Sequence, residues 1–184
     1  WRILKNQGLS SKDAAASVNA KKGKGRDLKI LLTAAPKTLV KRYLAVCKAA
    51  DLQLVSLETE AFALERSLIG NDPSPVLLID IGANATDMSV IASGIPILNR
   101  SIDVGGDALT RAIMNSLSVD HARAEQFKRD FGMAHTTAND QIPRTLEFVV
   151  GSIINEVKYC LNLYQSQEPK PVEKIGLAGG SAFL

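Results

Sequence analysis

The chain has 184 residues, 46% of them hydrophobic and 22% charged, with a formal net charge of +3. This balance excludes a disordered chain and predicts one medium domain or two small ones with a sizeable core. No apolar run nears the roughly 20 residues of a membrane-spanning helix, and Cys47, Cys160, His121 and His135 show no metal-ligand spacing, which excludes a structural zinc site.

The charge is uneven. Residues 1–50 hold twelve Lys/Arg against two Asp, and residues 51–184 hold ten against seventeen Asp/Glu. Four of the basic residues fall in "KKGKGR", Lys21 to Arg26, which has no aromatics and two glycines. That reads as a solvated loop and not as a nucleic-acid surface. The two cysteines read as buried reduced thiols of a cytosolic protein.

In chain order, "WRILK" reads as an edge strand and residues 8–26 as a long mobile loop. "LKILLTAAP", 28–36, is a strand stopped by Pro36. "KTLVKRYLAVCKAAD" has apolar residues at helical spacing, "LQLVSLE" alternates as a short strand, and "TEAFALERSLIG" is a helix closed by Gly70. The linker "NDPSP" sets a boundary, with one part at 1–70 and a second at 71–184.

"VLLIDIGANATDMSVIASGIPILNRSID" then reads as strand, turn, strand, a hairpin about Ser93-Gly94, and strand. A helix begins after Gly105-Gly106. A second, "SVDHARAEQFKRDFG", has Ser118 as cap and Gly132 as stop. "MAHTTANDQIP" is a loop, "RTLEFVVGSIINEVKYCLNLYQSQ" the longest helix, and "VEKIGLAGG" a strand entering a glycine turn. The order predicts an α/β fold with a mixed sheet and packed helices. Trp1 at the start and "GGSAFL" at the end read as cuts in a longer protein.

Several constellations carry chemistry. In "DIGANATD", Asp80 ends an apolar strand beside a glycine turn. A buried carboxylate is costly unless it meets a cation, water or donors, and such a turn can aim N–H groups at phosphate oxygens. The stretch serves equally as a plain hairpin with an aspartate at its mouth. "GLAGGSAF" is a strand–turn–helix start against which a nucleotide can lie, or a tight turn. In "VGGDALTRAI" the glycines make the turn, and Asp107 complements the helix dipole. Glu125 and Lys128 share a helix face and can clasp a ribose or base edge, or form a solvated surface pair. Glu58 and Glu60 stand where a strand passes into a helix, placed to orient a water or to cap the helix. No Walker A sequence and no GxSxG elbow is present, which removes P-loop NTPases and α/β-hydrolases.

In order and spacing these stretches resemble the actin-like ATPase superfamily of actin, heat-shock chaperone ATPases, sugar kinases and FtsA. "LLIDIGANATDMSVI" resembles its second phosphate motif, "ETEAFALERSL" its first connecting helix, and "GLAGGSAFL" its adenosine motif. "SIDVGGDALTRAI", "AEQFKRDFG" and the long helix ending "NEVKYCLNLYQSQ" are more specifically similar to the PilM family of type IV pilus assembly, over roughly residues 28–184. The resemblance implies an actin-like (ribonuclease H-like) fold binding ATP and Mg2+, with 1–70 the end of the first lobe and 71–184 the second. It implies Asp80 for the magnesium, and Gly82, Ala83, Asn84 and Thr86 along the β/γ-phosphates. Gly105 and Gly106 would support the cleft, Glu125 and Lys128 approach the ribose and adenine, and Gly179, Gly180 and Ser181 flank the nucleoside. Glu58 would orient the attacking water, with Glu60 as the alternative. The family's first phosphate motif has no match here, so the resemblance implies at most weak ATPase activity. It also implies a cytoplasmic location, peripheral to the inner membrane through PilN and other pilus platform proteins, without insertion into the membrane and without a nucleic-acid partner. The competing readings are a non-hydrolysing FtsA-like scaffold and a small-molecule kinase of the same superfamily.

Overall fold

The computed structural model describes residues 2–4, 29–31, 34–133 and 141–183, with backbone alone for 2–4, 29–31, 141–143 and 183. The expected loop at 8–26 lies outside the described residues, as does 134–140 of the later one. Two compact units are present, residues 1–57 and 58–184.

In the first unit, β1 (Arg2–Leu4) pairs antiparallel with β2 (Lys29–Leu31), Ile3 facing Ile30. Among the described residues of the expected 28–36 strand, Ala34 to Pro36 are not extended into the sheet. Helix α1 (Lys37–Ala49) starts directly after Pro36, whose fixed φ suits a helix entry. It stops at Ala50, and Asp51 behind it is left-handed at φ 54°. The strand expected at 52–58 does not form: these residues are irregular, with Val55 88% exposed. Alternation makes a strand only where a neighbouring edge takes its hydrogen bonds, and no described strand pairs with this one.

The second unit holds the sheet. Its first helix, α2 (Glu60–Leu64), widens into a single π-turn over Glu65–Ile69, closed by a Gly70 N–H to Glu65 carbonyl bond of 3.0 Å, with Gly70 at φ 61°. Strands β3 (Val76–Ile81), β4 (Thr86–Ala92), β5 (Ile95–Ile102) and β6 (Lys174–Ala178) order as β5-β4-β3-β6. β3, β4 and β5 are antiparallel neighbours, and β6 joins β3 in parallel. A parallel return needs a long crossover. Here α3 (Gly106–Leu117), α4 (His121–Phe131) and α5 (Gln141–Gln167) lie in it. Pro143 sits in the first turn of α5, where its missing N–H interrupts no intrahelical bond.

Ser118 does not cap α4. It closes α3 instead, left-handed at φ 52°, and Asp120 two residues on accepts the Arg123 N–H at 2.8 Å. Three layers result. Leu77, Ile79, Met88 and Val90 pack one sheet face against Ile153, Cys160 and Tyr164 of α5. Val76, Leu78 and Ile91 pack the other against Leu64 and Ile69. Leu109, Ile113, Ala124 and Leu146 join the three crossover helices. Each fully buried large side chain contributes roughly 1.5–3 kcal/mol. Cys160 is buried and unpaired, and burial pushes its thiol up; Cys47 is half-buried and also free. No helix among the described residues is long and apolar enough to cross a membrane.

Candidate functional site

The site grows from the turn between β3 and β4. The Gly82 N–H bonds the Ala85 carbonyl at 2.9 Å, so the turn closes on itself. This four-residue turn sets the register, with Ile81 opposite Thr86 and Asp80 opposite Asp87. Thr86 is fully buried, and its hydroxyl donates to the Val104 carbonyl at 2.6 Å. The start of α3 then stands on the turn. Gly106 N–H donates to the Gly82 carbonyl at 2.9 Å and Asp107 N–H to the Ala83 carbonyl at 2.8 Å. The first N–H groups of a helix lack intrahelical partners, and here the hairpin supplies two. A Cβ on Gly105 would meet the Gly82 carbonyl oxygen at 2.6 Å, so this approach requires glycine.

The turn after β6 closes in from the opposite side. Gly179 is at φ 87°, and a Cβ there would lie 2.5 Å from Asp80 Oδ1 and against the Ile81 carbonyl. A Cβ on Gly106 would lie 2.6 Å from Ser181 Oγ. Between these elements lies a cavity of about 630 Å³. Gly82 and Ala83 of the hairpin line it, as do Gly106 and Asp107 of α3 and Gly180 and Ser181 of the last turn. From α4 come His121, Glu125, Lys128 and Arg129. A smaller hollow of about 270 Å³ shares His121, Glu125 and Arg129, which are four apart and form one ridge of α4.

Glu125 and Lys128 are not a solvated surface pair. Lys128 is 7% exposed. Its ammonium reaches Glu125 Oε2 at 2.6 Å, Thr110 Oγ1 at 2.9 Å and the Gly106 carbonyl at 3.2 Å. Glu125 Oε2 also accepts from Thr110 Oγ1 at 2.7 Å, and Oε1 accepts from Arg129 Nε at 3.2 Å. Burial pushes the Glu125 carboxyl up. The bonds from Lys128 and Thr110, the Lys128 charge and the Arg129 bond outweigh it and bring the group down to about 2.

The remaining carboxylates separate into two groups. Glu60, solvent-exposed as a residue, has its carboxyl against Asp80. Desolvation, the hydrogen bond to Asp80 and the charges of Asp80 and Asp87 all raise it. Glu58 is instead held by Arg66, through a 2.7 Å bond to Oε2 and a second contact to Oε1. That hydrogen bond lowers the Glu58 carboxyl. Of the expected site residues, the cavity therefore brings together Gly82, Ala83, Gly106, Glu125, Lys128, Gly180 and Ser181. Asn84 is exposed in the hairpin turn, Gly105 and Gly179 support the wall by close approach, and Asp80 lies at the root of the hairpin beside Glu60, with Glu58 apart. His121, Thr110 and Arg129 escaped the sequence reading. The i−4 and i+4 spacing of His121 and Arg129 about Glu125 is the signal that finds two of them. Among the described residues no three His, Cys, Asp or Glu side chains converge as a metal-ligand group.

A sequence profile of the type IV pilus assembly protein PilM matches residues 15–184. A solved PilM–PilN type IV pilus biogenesis complex is similar at TM-score 0.64 and 26% identity, over 79% of this chain and 42% of that one. MreB5 of Spiroplasma citri bound to AMPPNP is similar at TM-score 0.65 and 21% identity, over 82% and 55%. The ethanolamine utilization protein EutJ of Carboxydothermus hydrogenoformans is similar at TM-score 0.60 and 26% identity, over 76% and 47%. The chain thus spans 42% to 55% of the length of these relatives. Its fold is the mixed α/β actin-like fold.

Proposed function

The chain belongs to the PilM family of type IV pilus assembly proteins, and on that premise we propose that its cavity binds ATP. One observation carries this reading. A single cavity gathers a hairpin tip, a Glu–Lys helix face and a Gly-Gly-Ser turn, drawn from three distant parts of the sequence. The turn at Gly82, Ala83 and Asn84 takes the β/γ-phosphates. Gly179, Gly180 and Ser181 flank the nucleoside. Glu125 meets the ribose or base edge, with Lys128 serving from behind it. Gly105, Gly106 and Thr86 fasten hairpin to helix. The solved structure of MreB5 with AMPPNP supports nucleotide binding on this fold.

Asp80 is the protein group for Mg2+. Among the described residues no complete protein ligand set converges there, so the ion would be held with phosphate oxygens and water, as magnesium commonly is. The ion neutralises phosphate charge. Between the two candidate water-orienting carboxylates, Glu60 is favoured over Glu58, because Glu60 lies against Asp80 while Arg66 occupies Glu58. In the whole protein, nucleotide state tunes assembly of the inner-membrane pilus platform through a PilN-type partner; the solved PilM–PilN complex supports that partner.

Calorimetric titration of the full-length protein with ATP and Mg2+ tests this reading. Asp80→Ala is expected to weaken binding tenfold or more, and a PilN cytoplasmic-tail peptide to change affinity with nucleotide. Absence of ATP binding by the full-length protein overturns the proposal. A second reading, an actin-like scaffold that binds without turnover, is favoured by the occupied Glu58 and the raised Glu60 carboxyl. If Glu60→Gln preserves pilus assembly while Asp80→Ala abolishes it, binding without hydrolysis is the working step.

A further inference from the structure

Thr110 lies on α3, fifteen residues before Glu125, and is completely buried. Its γ-oxygen stands within hydrogen-bond distance of three groups, the Gly106 carbonyl at 3.0 Å, Glu125 Oε2 at 2.7 Å and Lys128 Nζ at 2.9 Å. A hydroxyl has one hydrogen to give. The Gly106 carbonyl already accepts from Lys128 at 3.2 Å, and the carboxylate is the closer and charged acceptor, so the hydrogen goes to Glu125. Lys128 has three N–H groups and three acceptors within reach, so it has none to spare for a ligand unless one of these bonds breaks.

An ionised carboxylate has about four acceptor positions. Thr110 and Lys128 fill the Oε2 side, and Arg129, whose side chain is 74% exposed, takes one on Oε1. Pinning Oε2 fixes where Oε1 stands on the cavity wall. We propose that Thr110 is a positioning residue of the ligand cavity, whose hydroxyl locks Glu125 and Lys128 into the orientation that the ligand meets. Thr110 itself touches no ligand. The proposal rests on the nucleotide reading for its binding consequence, while its effect on Glu125 stands apart from that reading. The other ionisable groups of this cavity wall are His121, Arg129 and Asp107.

Thr110→Val keeps the shape and removes the hydroxyl, and Thr110→Ser keeps the hydroxyl. In the full-length protein, carboxyl NMR would follow Glu125 and calorimetry would follow ADP affinity. T110V is expected to move the Glu125 titration up from about 2 toward the ordinary glutamate range and to weaken ADP binding about tenfold. T110S is expected to retain both. A Glu125 titration unmoved in T110V overturns the proposal, as does a loss of ADP affinity equal in T110V and T110S. If T110V does not fold, T110A removes the same hydroxyl without a γ-methyl and is read in the same way. If wild type binds neither ATP nor ADP, the nucleotide reading fails, and the Glu125 titration alone decides the role of Thr110.

Discussion

Asp80 and Asp87 stand directly opposite each other across the antiparallel β3–β4 pair, at the end of the strands that carries the turn. Like charges in this position repel, at a cost of roughly 0.2–1 kcal/mol. With Glu60 against Asp80, three acidic residues share one end of the sheet. In the free protein, Asp87→Asn is therefore expected to raise stability by up to about 1 kcal/mol. Thermal unfolding without and with Mg2+ and ATP checks this. The gain should shrink when the ligands are present, because a cation relieves the same repulsion.

Glu60 has a raised carboxyl in the folded state. Its contribution is fully present below the unfolded-state pKa and is lost as pH rises through the raised folded value. Glu60→Gln should thus be more stable than wild type at pH 7–8, with the gap closing toward pH 4. Solvent screening keeps the difference under about 1 kcal/mol. Urea unfolding across this range checks the slope; parallel curves would remove Glu60 from the acidic group.

Glu125 behaves in the opposite sense. Its carboxyl is held to about 2, so its stabilisation is present above the unfolded-state value and is lost as pH falls toward about 2. Lys128→Met leaves that carboxylate partly buried without its main counter-charge and is expected to cost roughly 3 kcal/mol. Adding Glu125→Gln should recover part of the loss. A double-mutant cycle by chemical denaturation measures the coupling.

Two neighbouring glycines should respond differently to alanine. At Gly179 a Cβ would press on the Ile81 carbonyl and Asp80 Oδ1, at φ 87°, whereas at Gly180 nothing lies within 4 Å. Gly179→Ala is expected to cost about 2 kcal/mol or more and Gly180→Ala less than about 0.5 kcal/mol. Equal unfolding midpoints for the two variants would contradict the close approach of the last turn to Asp80.

Met88 is 1% exposed between the sheet and α5 and lies 3.9 Å, sulfur to sulfur, from Cys160. Met88→Ala is expected to cost about 2–5 kcal/mol through lost burial and the cavity left behind, and fluorescence-monitored unfolding would measure it.

Much of this arrangement is legible from residue order alone. An apolar run ending on Asp80, followed by the small and polar residues Gly82 to Ala85 and a second apolar run, locates the hairpin. The spacing of Glu125 and Lys128 places them on one helix face. Spacing does not say what that face meets, so the burial of Lys128 stays hidden. Its partners, Thr110 and the Gly106 carbonyl, lie on another helix. The stretch 52–58 misleads for a related reason. Its alternation describes side chains, whereas strand formation depends on a neighbour's backbone. Ser118 misleads because serine serves a helix start, yet here the chain first needs a left-handed corner, and Asp120 takes the cap.

The two bonds from Gly106 and Asp107 to the hairpin carbonyls also have a mechanical meaning. Hairpin tip and α3 are fastened as one stiff lever. A helix of 12 residues is about 18 Å long, and its far end is the Ser118–Asp120 corner where α4 begins. Lys128 of α4 returns to the Gly106 carbonyl, where α3 starts. Hairpin, α3 and α4 thereby form one closed circuit of contacts along the cavity wall.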